Sequence, residues 1–498
     1  MAKYEIKDGV GIIPEGTTEI EWKAFDGCKE LTNVVIPNSV KRIEGWAIHC
    51  CTGLTSITIP DSVTEIDNLA FLGCTGLTSI IVSKGNKIFD SRNDCNAIIE
   101  TKTNKLLLGC KNTVIPDSVR VIDYNAFNGC TRLTDIVIPD SVTEIECYAF
   151  QDCSGLTSIK IPDSVTKIKS KAFSGCTGLT SITIPESVTK IESKAFSGCT
   201  GLTSITIPES VTEIEFRAFP GCTGLTSIIV SEGNKVYDSR DNCNAIIETE
   251  SNKLIAGCVN TVIPNSVTEI ENGAFSGCTG LTSITIPDSV TVIESGAFAD
   301  CSGLKSIVIP DSVTIIDKHT FEGCTGLTSI KIPDSVTLIG AEAFIRCGLT
   351  SIIIPDSVTT IGEGAFEGVG LTDVVLGNSV KEILYVSFKD TKITSIVIPE
   401  SAKIIDEGAF EGCADLKSVE ILAKLNKIGY NAFKKCTSLE TVTLPAGIKA
   451  IHKDAFDGCT ALKAINVPAK KGDYYRQRLP ESLHSLIVEL PAEKKGKK

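Results

Sequence analysis

The chain has 498 residues, 42% apolar and 22% charged, with a formal charge of −13. That acidic balance argues against nucleic acid and against an anionic membrane surface, since both are held by clustered Lys and Arg. No apolar run approaches the roughly 20 residues of a membrane span, so no membrane insertion is expected.

The first residues, Met1–Gly16, contain no apolar stretch of the kind an export signal needs, which taken alone favours the cytoplasm. Beyond them the chain repeats itself. A Phe, usually preceded by Ala, recurs at Phe25, Phe71, Phe127, Phe150, Phe173, Phe196 and Phe219, and again from Phe275 to Phe456. Most steps are 22 or 23 residues, two are 56, and Ile48 stands in the Phe place of the second repeat. Within one unit, Leu179–Pro185 alternates apolar and polar residues, the mark of a strand with one buried face, and its proline closes the strand. "SVTKI" returns with Val and Ile inward, "SKAFSGC" suits a single helical or 3-10 turn, and "GCTG" turns the chain back. A unit this small cannot bury its own apolar edge, but stacked copies can. The expected fold is therefore an α/β repeat solenoid. A parallel β-sheet lines one face, and short helical or 3-10 turns and loops line the other. With strands about 4.8 Å apart, roughly 20 rungs would stack to an arc ~95 Å long.

The expected organisation is an N-terminal cap and first rung at 1–24, repeats of 22–23 residues over 25–468, a C-terminal cap at 469–490 and a disordered basic tail at 491–498. Trp22 and Trp46 are expected to close the N-terminal end, and Leu483–Val488 to form a last strand. Inside the two long steps lie two copies of one insert, at 83–112 and 231–260. Each reads as a β-hairpin. Centring the first turn on Lys102–Thr103 sets Glu100 opposite Lys105 and Cys95 opposite Cys110; the second copy sets Cys243 opposite Cys258. These pairs are the expected disulfides if the protein is exported, and buried thiols otherwise. "DSR" ahead of each hairpin reads as a turn with a local ion pair.

Fifteen of the 21 cysteines stand three residues after the marker, from Cys28 to Cys459, and Val369 and Thr391 take that place in two of the 22-residue repeats. An apolar stand-in points to packing. The four histidines are scattered and no C-x₂-C cluster exists, so no metal or cofactor is expected.

The unit I-P-x-S-V-T-x-I-x-x-x-A-F-x-G-C-T-G-L-T-S-I closely resembles the BspA-type leucine-rich repeat family over nearly all of residues 10–468. The resemblance implies a leucine-rich-repeat solenoid. It also implies a cell-surface or secreted protein, of the kind known from anaerobic bacteria and protozoan parasites, that adheres to host proteins or other cells. On this reading the function is a non-catalytic protein-binding or adhesion scaffold acting through its strand face. The candidate face comprises Ser158, Lys160, Ser181, Thr183, Ser204, Thr206, Ser283, Thr285, Ser329 and Lys331, and its expected occupant is a protein partner. The alternatives are a structural spacer whose length is its function, and an enzyme with an unrecognised site. No nucleophile elbow, paired carboxylates or phosphate loop is visible, so no catalysis is expected.

Overall fold

The computed structural model describes residues 3–491. The chain forms two compact units, one of residues 1–250 with 255–260 and one of 251–254 with 261–498. Each is a parallel β-solenoid. A rung contributes one strand of three or four residues, such as Ser181–Thr183, and one of two residues, such as Lys190–Ile191. Successive rungs stack residue on residue. In the first unit Ser158 pairs with Ser181 and Lys160 with Thr183, while Lys190 pairs with Glu213. In the second, seven two-residue strands from Ile315–Ile316 to Ala450–Ile451 form one parallel ladder.

The third side of each rung is turn, not helix. Lys171 (φ 55°) and Gly175 (φ 73°) both adopt left-handed backbone within one such turn. Two left-handed residues four apart interrupt any right-handed helical run. The turns bond along the stack instead: the Phe173 N–H donates to the Ala195 carbonyl (2.9 Å) and Gly175 to Ser197 (2.7 Å).

The marker phenylalanines fill the centre. Phe127, Phe150, Phe173 and Phe196 are fully buried. Their rings stack nearly parallel, with centroids 5.0, 5.6 and 5.7 Å apart. Phe275 to Phe456 continue the pattern in the second unit. Beside them runs the cysteine column. Most of its thiols donate to the carbonyl of the Phe one rung back, as Cys176 does to Phe150, Cys199 to Phe173 and Cys436 to Phe410 (3.1, 3.1 and 3.2 Å), while Cys74 donates to Ile48, which stands in the Phe place. These cysteines are packing residues that also satisfy a buried backbone acceptor.

The long steps differ from a rung plus an appended hairpin. Glu100 does face Lys105 and Ile99 faces Leu106, but a β-bulge then sets Ile98 against Leu108. The bulge carries Cys95 and Cys110 out of the facing register and into separate core clusters. All 21 cysteines, Cys243 and Cys258 included, are free thiols. The second hairpin arm is itself part of the solenoid: Lys105 and Leu106 pair in parallel with Val121 and Ile122. Gly109 takes the Phe place, donating to the Ala126 carbonyl (2.8 Å) as Phe127 does to Ala149. The Phe127 ring fills the space, 2.1 Å from where a Gly109 Cβ would stand. In the second copy Lys253 and Leu254 likewise pair with Glu269 and Ile270.

At the N-terminal end, Glu5–Lys7 folds back antiparallel on Val10–Ile12, which pairs with the first rung strand, Asn33–Val35. Tyr4 covers Phe25 at 5.6 Å. That hairpin, and not the tryptophans, covers the end; Trp22 is 54% exposed. At the other end Ile487–Glu489 pairs with Ala464–Val467, and Tyr475 is fully buried. Only its last residues are strand, because Glu481–Leu486 is a 3-10 helix. Its leucines, Leu483 and Leu486, recur at the three-residue period of that helix. Of the expected tail, residues 492–498 lie outside the described residues.

Candidate functional site: the strand face

The repeat assigns each polar position of a rung to one of two duties. Some knit the stack. Thr180 Oγ1 donates to the Thr157 carbonyl and Thr203 to Thr180 (both 3.3 Å), and Ser187 Oγ donates to Val165 (2.7 Å). On the flank, Lys190 bridges Glu213 and Glu215 of the next rung, both at 2.7 Å. The strand-face positions have no such duty. Ser158, Lys160, Ser181, Thr183, Ser204 and Thr206 are all exposed and occupy three adjacent rungs of the first unit. Ser283, Thr285, Ser329 and Lys331 are exposed on the second unit. Alternation explains the arrangement: Ile159, Ile182 and Ile205 point inward between them.

The structure adds two features to this face. The first is apolar. In the second unit Ile353 pairs with Val375, and the next rung presents Val397. They are 70, 57 and 49% exposed. Strand alternation alone already sets this column outward in the sequence. The second feature is a pair of clefts where the long steps begin. One of about 620 Å³ is lined by Ser79, Ile81, Ser83 and the Arg92–Asn96 loop, and its counterpart of about 530 Å³ by Ser227, Ile229 and Ser231. The wall of the first is rigid. Arg92 bonds Asp90 through Nε (2.8 Å) and Nη2 (2.6 Å), and Asn104 (2.8 Å) and Ser118 (3.2 Å) through Nη1. The "DSR" segment is thus a turn built on an ion pair, repeated by Arg240 and Asp238 at 2.6 Å.

One carboxylate cluster breaks the flank pattern. Lys253 lies 2.6 Å from Glu269 and 3.7 Å from Glu271. On the next rung Glu269 itself stands where, by the Lys190 spacing, a further Lys would serve Glu294. Oxygens of Glu269, Glu271 and Glu294 consequently lie within 4.8 Å of one another. Burial first, then the hydrogen bonds that its protonated form donates to its two acidic neighbours, push the Glu294 carboxyl up to about 7. Three like charges around one ammonium account for the cluster as a shared proton.

No helix among the described residues is long and apolar enough to cross a membrane. No curated protein matches the sequence. Among solved structures, a leucine-rich repeat protein from Bacteroides ovatus is 26% identical, covering 81% of this chain and 98% of its own, with a TM-score of 0.45. A leucine rich cell surface protein from Faecalibacterium prausnitzii is 27% identical over 89% of each chain (TM-score 0.34). The pneumococcal vaccine antigen PcpA is 18% identical over 98% of this chain and 96% of its own (TM-score 0.40). The family model described as "BspA type Leucine rich repeat region (6 copies)" matches residues 11–104, 97–226, 247–372 and 337–463. With most of its length so matched, the chain belongs to the BspA type leucine-rich repeat family.

Proposed function

We propose that the strand face is a binding surface for a protein partner, and that the protein works at the cell surface or outside the cell, as membership of its family implies. The cytoplasmic location suggested by the N-terminal residues has no support from the family. One observation carries the binding reading. The ten candidate side chains are exposed and make no hydrogen bond or ion pair to the protein, while neighbouring polar columns knit the stack. Such a face is flat and nearly uncharged, and in the second unit it carries an apolar stripe. Contiguous exposed apolar surface of this kind marks interaction sites in soluble proteins. Its affinity would come from apolar contact and backbone-spaced hydroxyls, so salt should weaken it little.

The test is retention of a cell-surface partner on immobilised protein. A Lys160→Glu/Thr183→Glu/Thr206→Glu variant should lose the partner. A charge-changing set on the back turns, such as Lys171→Glu/Lys194→Glu, should keep it. Equal retention by both variants would remove the strand face from the function, and retention of nothing by the parent protein would leave the spacer reading.

A further inference from the structure

The repetition supplies its own control, because a rung that departs from the others does so against an otherwise constant background. Before the column cysteine the chain reads Asp26-Gly27, Leu72-Gly73, Asn128-Gly129, Ser174-Gly175 and Ser197-Gly198. The second rung reads His49-Cys50, with Trp46 two residues ahead of Ile48, where the neighbouring rungs carry Lys23 and Leu69. The Gly position has left-handed backbone, with φ of 71° at Gly27 and 78° at Gly73. Cys50 keeps that conformation at φ 53°. Asp152, Asp300, Arg346, Asp390 and Lys435 also put a β-carbon there, at φ 56–58°, but none of them follows a His, so the second rung alone sets a thiol beside an imidazole. Room for the sulfur comes from Gly73 of the next rung, where a Cβ would stand 2.9 Å from Cys50 Sγ.

Stacking sets the departure against the rung before it. His49 Nδ1 lies 2.7 Å from Asp26 Oδ1, and His49 Nε2 lies 3.2 Å from Cys50 Sγ. The hydrogen bond from His49, more than any other influence, holds the Asp26 carboxyl below its ordinary range, so it is ionised and only accepts. Nδ1 therefore carries a ring proton, and Nε2 faces the thiol. Trp46 stacks on the imidazole with centroids 4.6 Å apart, fixing its plane. His49 and Asp26 are 19 and 32% exposed and Cys50 is half-buried, so the group opens to solvent. Trp22 and Trp46 lie beside it, both beneath the Lys23 ammonium (4.6 and 5.3 Å).

From this geometry we infer that Cys50, His49 and Asp26 form a nucleophilic thiol site that accepts an acyl group from an activated ester or thioester. Cys50 is the nucleophile, His49 the general base and Asp26 the residue that positions the base. Burial, and then the Asp26 charge, push the Cys50 thiol up, so the resting sulfur is a neutral thiol. On attack the S–H proton passes to Nε2 as the sulfur–carbon bond forms. The bond from the carbonyl carbon to the leaving oxygen or sulfur then breaks, and the proton on Nε2 goes to the departing alkoxide or thiolate. The products are an S-acyl cysteine and a free alcohol or thiol. The Cys50 N–H is already committed to the Leu72 carbonyl (2.8 Å) and gives the oxyanion no backbone donor. Hydrolysis of the acyl group is therefore slow, and the acylated protein accumulates. The Trp46 indole, stacked on the imidazole, supplies apolar surface at the site, which favours acyl chains over polar ones.

The experiment uses the full chain with p-nitrophenyl acetate. One equivalent of p-nitrophenolate should be released in a burst, with a single acetyl group on Cys50 by peptide mass spectrometry. Cys50→Gly places there the residue that most rungs carry and that suits left-handed backbone, so it should fold at least as well and lose the burst. His49→Ala should slow acylation by about 100-fold or more, the scale of a positioned general base. Asp26→Asn should slow it less, and Asp26→Glu should recover part of the rate, which a merely structural role would not produce. Acetyl spread over lysines and other thiols at rates unaffected by Cys50→Gly would overturn the inference. So would a folded His49→Ala variant that acylates Cys50 at the original rate.

Discussion

At the scale of single residues, the polar positions of a rung are governed by backbone acceptors one rung away. The cysteine column was legible as packing because Val369 replaces one member, an exchange that ligands and disulfides do not tolerate. The bond from most of these thiols to a Phe carbonyl was not legible, since it joins residues about 26 apart and exists only once the rungs are stacked. Burial pushes the Cys199 thiol up to about 12, which keeps it a neutral donor at any physiological pH. Glu294 gives the residue-scale prediction. Its carboxyl is raised in the fold from 4.5 to about 7, against Lys253, Glu269 and Glu271 on the two rungs before it. The folded state thus holds a proton that the unfolded chain releases. The stability this contributes is complete below pH 4.5 and is lost as pH rises through about 7. Glu294→Gln keeps the neutral form at every pH. Its melting temperature should match the parent's near pH 4.5 and exceed it increasingly toward pH 8. A difference independent of pH over that range would mean that the three carboxylates do not share a proton.

At the scale of elements, the instructive case is the hairpin. Its turn and first pairs followed from the sequence, because Glu100 and Lys105 flank a polar "TKTN" between two apolar runs. The bulge at Ile98–Ile99 did not, as a bulge answers to where the arms must join the ladder and leaves no mark in local alternation. Nor did the sequence disclose that the second arm is a rung, since its marker is Gly109 and a search keyed on Phe passes over it. This substitution has a physical reason: the Phe127 ring lies where a side chain at 109 would go. Gly109→Ala should therefore destabilise the first unit by about 1–3 kcal/mol through overpacking. Gly447→Ala is the matched control, with nothing within 4 Å of its added methyl, and should stay within about 0.5 kcal/mol of the parent. Thermal melts of the two variants distinguish the cases. Equal, negligible shifts would mean that the ring has room to move and that the Gly109 rung is loosely packed. The candidate strand face was legible for the same reason as the turn, because strict alternation sorts Ser158 and Lys160 outward and Ile159 inward. What escaped it was Cys50, His49 and Asp26. In sequence His49 and Cys50 are only neighbours, and Asp26 joins them by stacking, 23 residues away.

At the scale of the molecule, each rung bonds to the rung before and the rung after. The Phe173 N–H reaches Ala195, the Ser170 hydroxyl reaches the Ser193 carbonyl, and Cys176 reaches back to Phe150. Stability in such a stack is close to a sum of rung terms and nearest-neighbour interface terms. Removing one whole period should therefore preserve every kind of contact. Deleting residues 173–195 from the first unit joins Ala172 to Phe196, and the chain again reads "KAFSGCTGLTSITIPES". The new neighbours offer each other the same Phe ring, the same thiol and carbonyl, and the same Thr and Ser donors as the old. Deleting only residues 173–184 removes about half a turn. Its strand residues would then meet turn residues, the apolar face would rotate outward, and buried N–H groups would lose their acceptors. The full-period deletion should melt cooperatively within a few degrees of the parent, with its circular dichroism per residue unchanged. The half-period deletion should lose the strand signal of the rungs around the cut or fail to fold. The comparison bears on the spacing rather than on chain length, because the deletion that removes more residues is the one expected to survive. If both variants unfold alike, the rungs are coupled beyond their neighbours and the additive description fails.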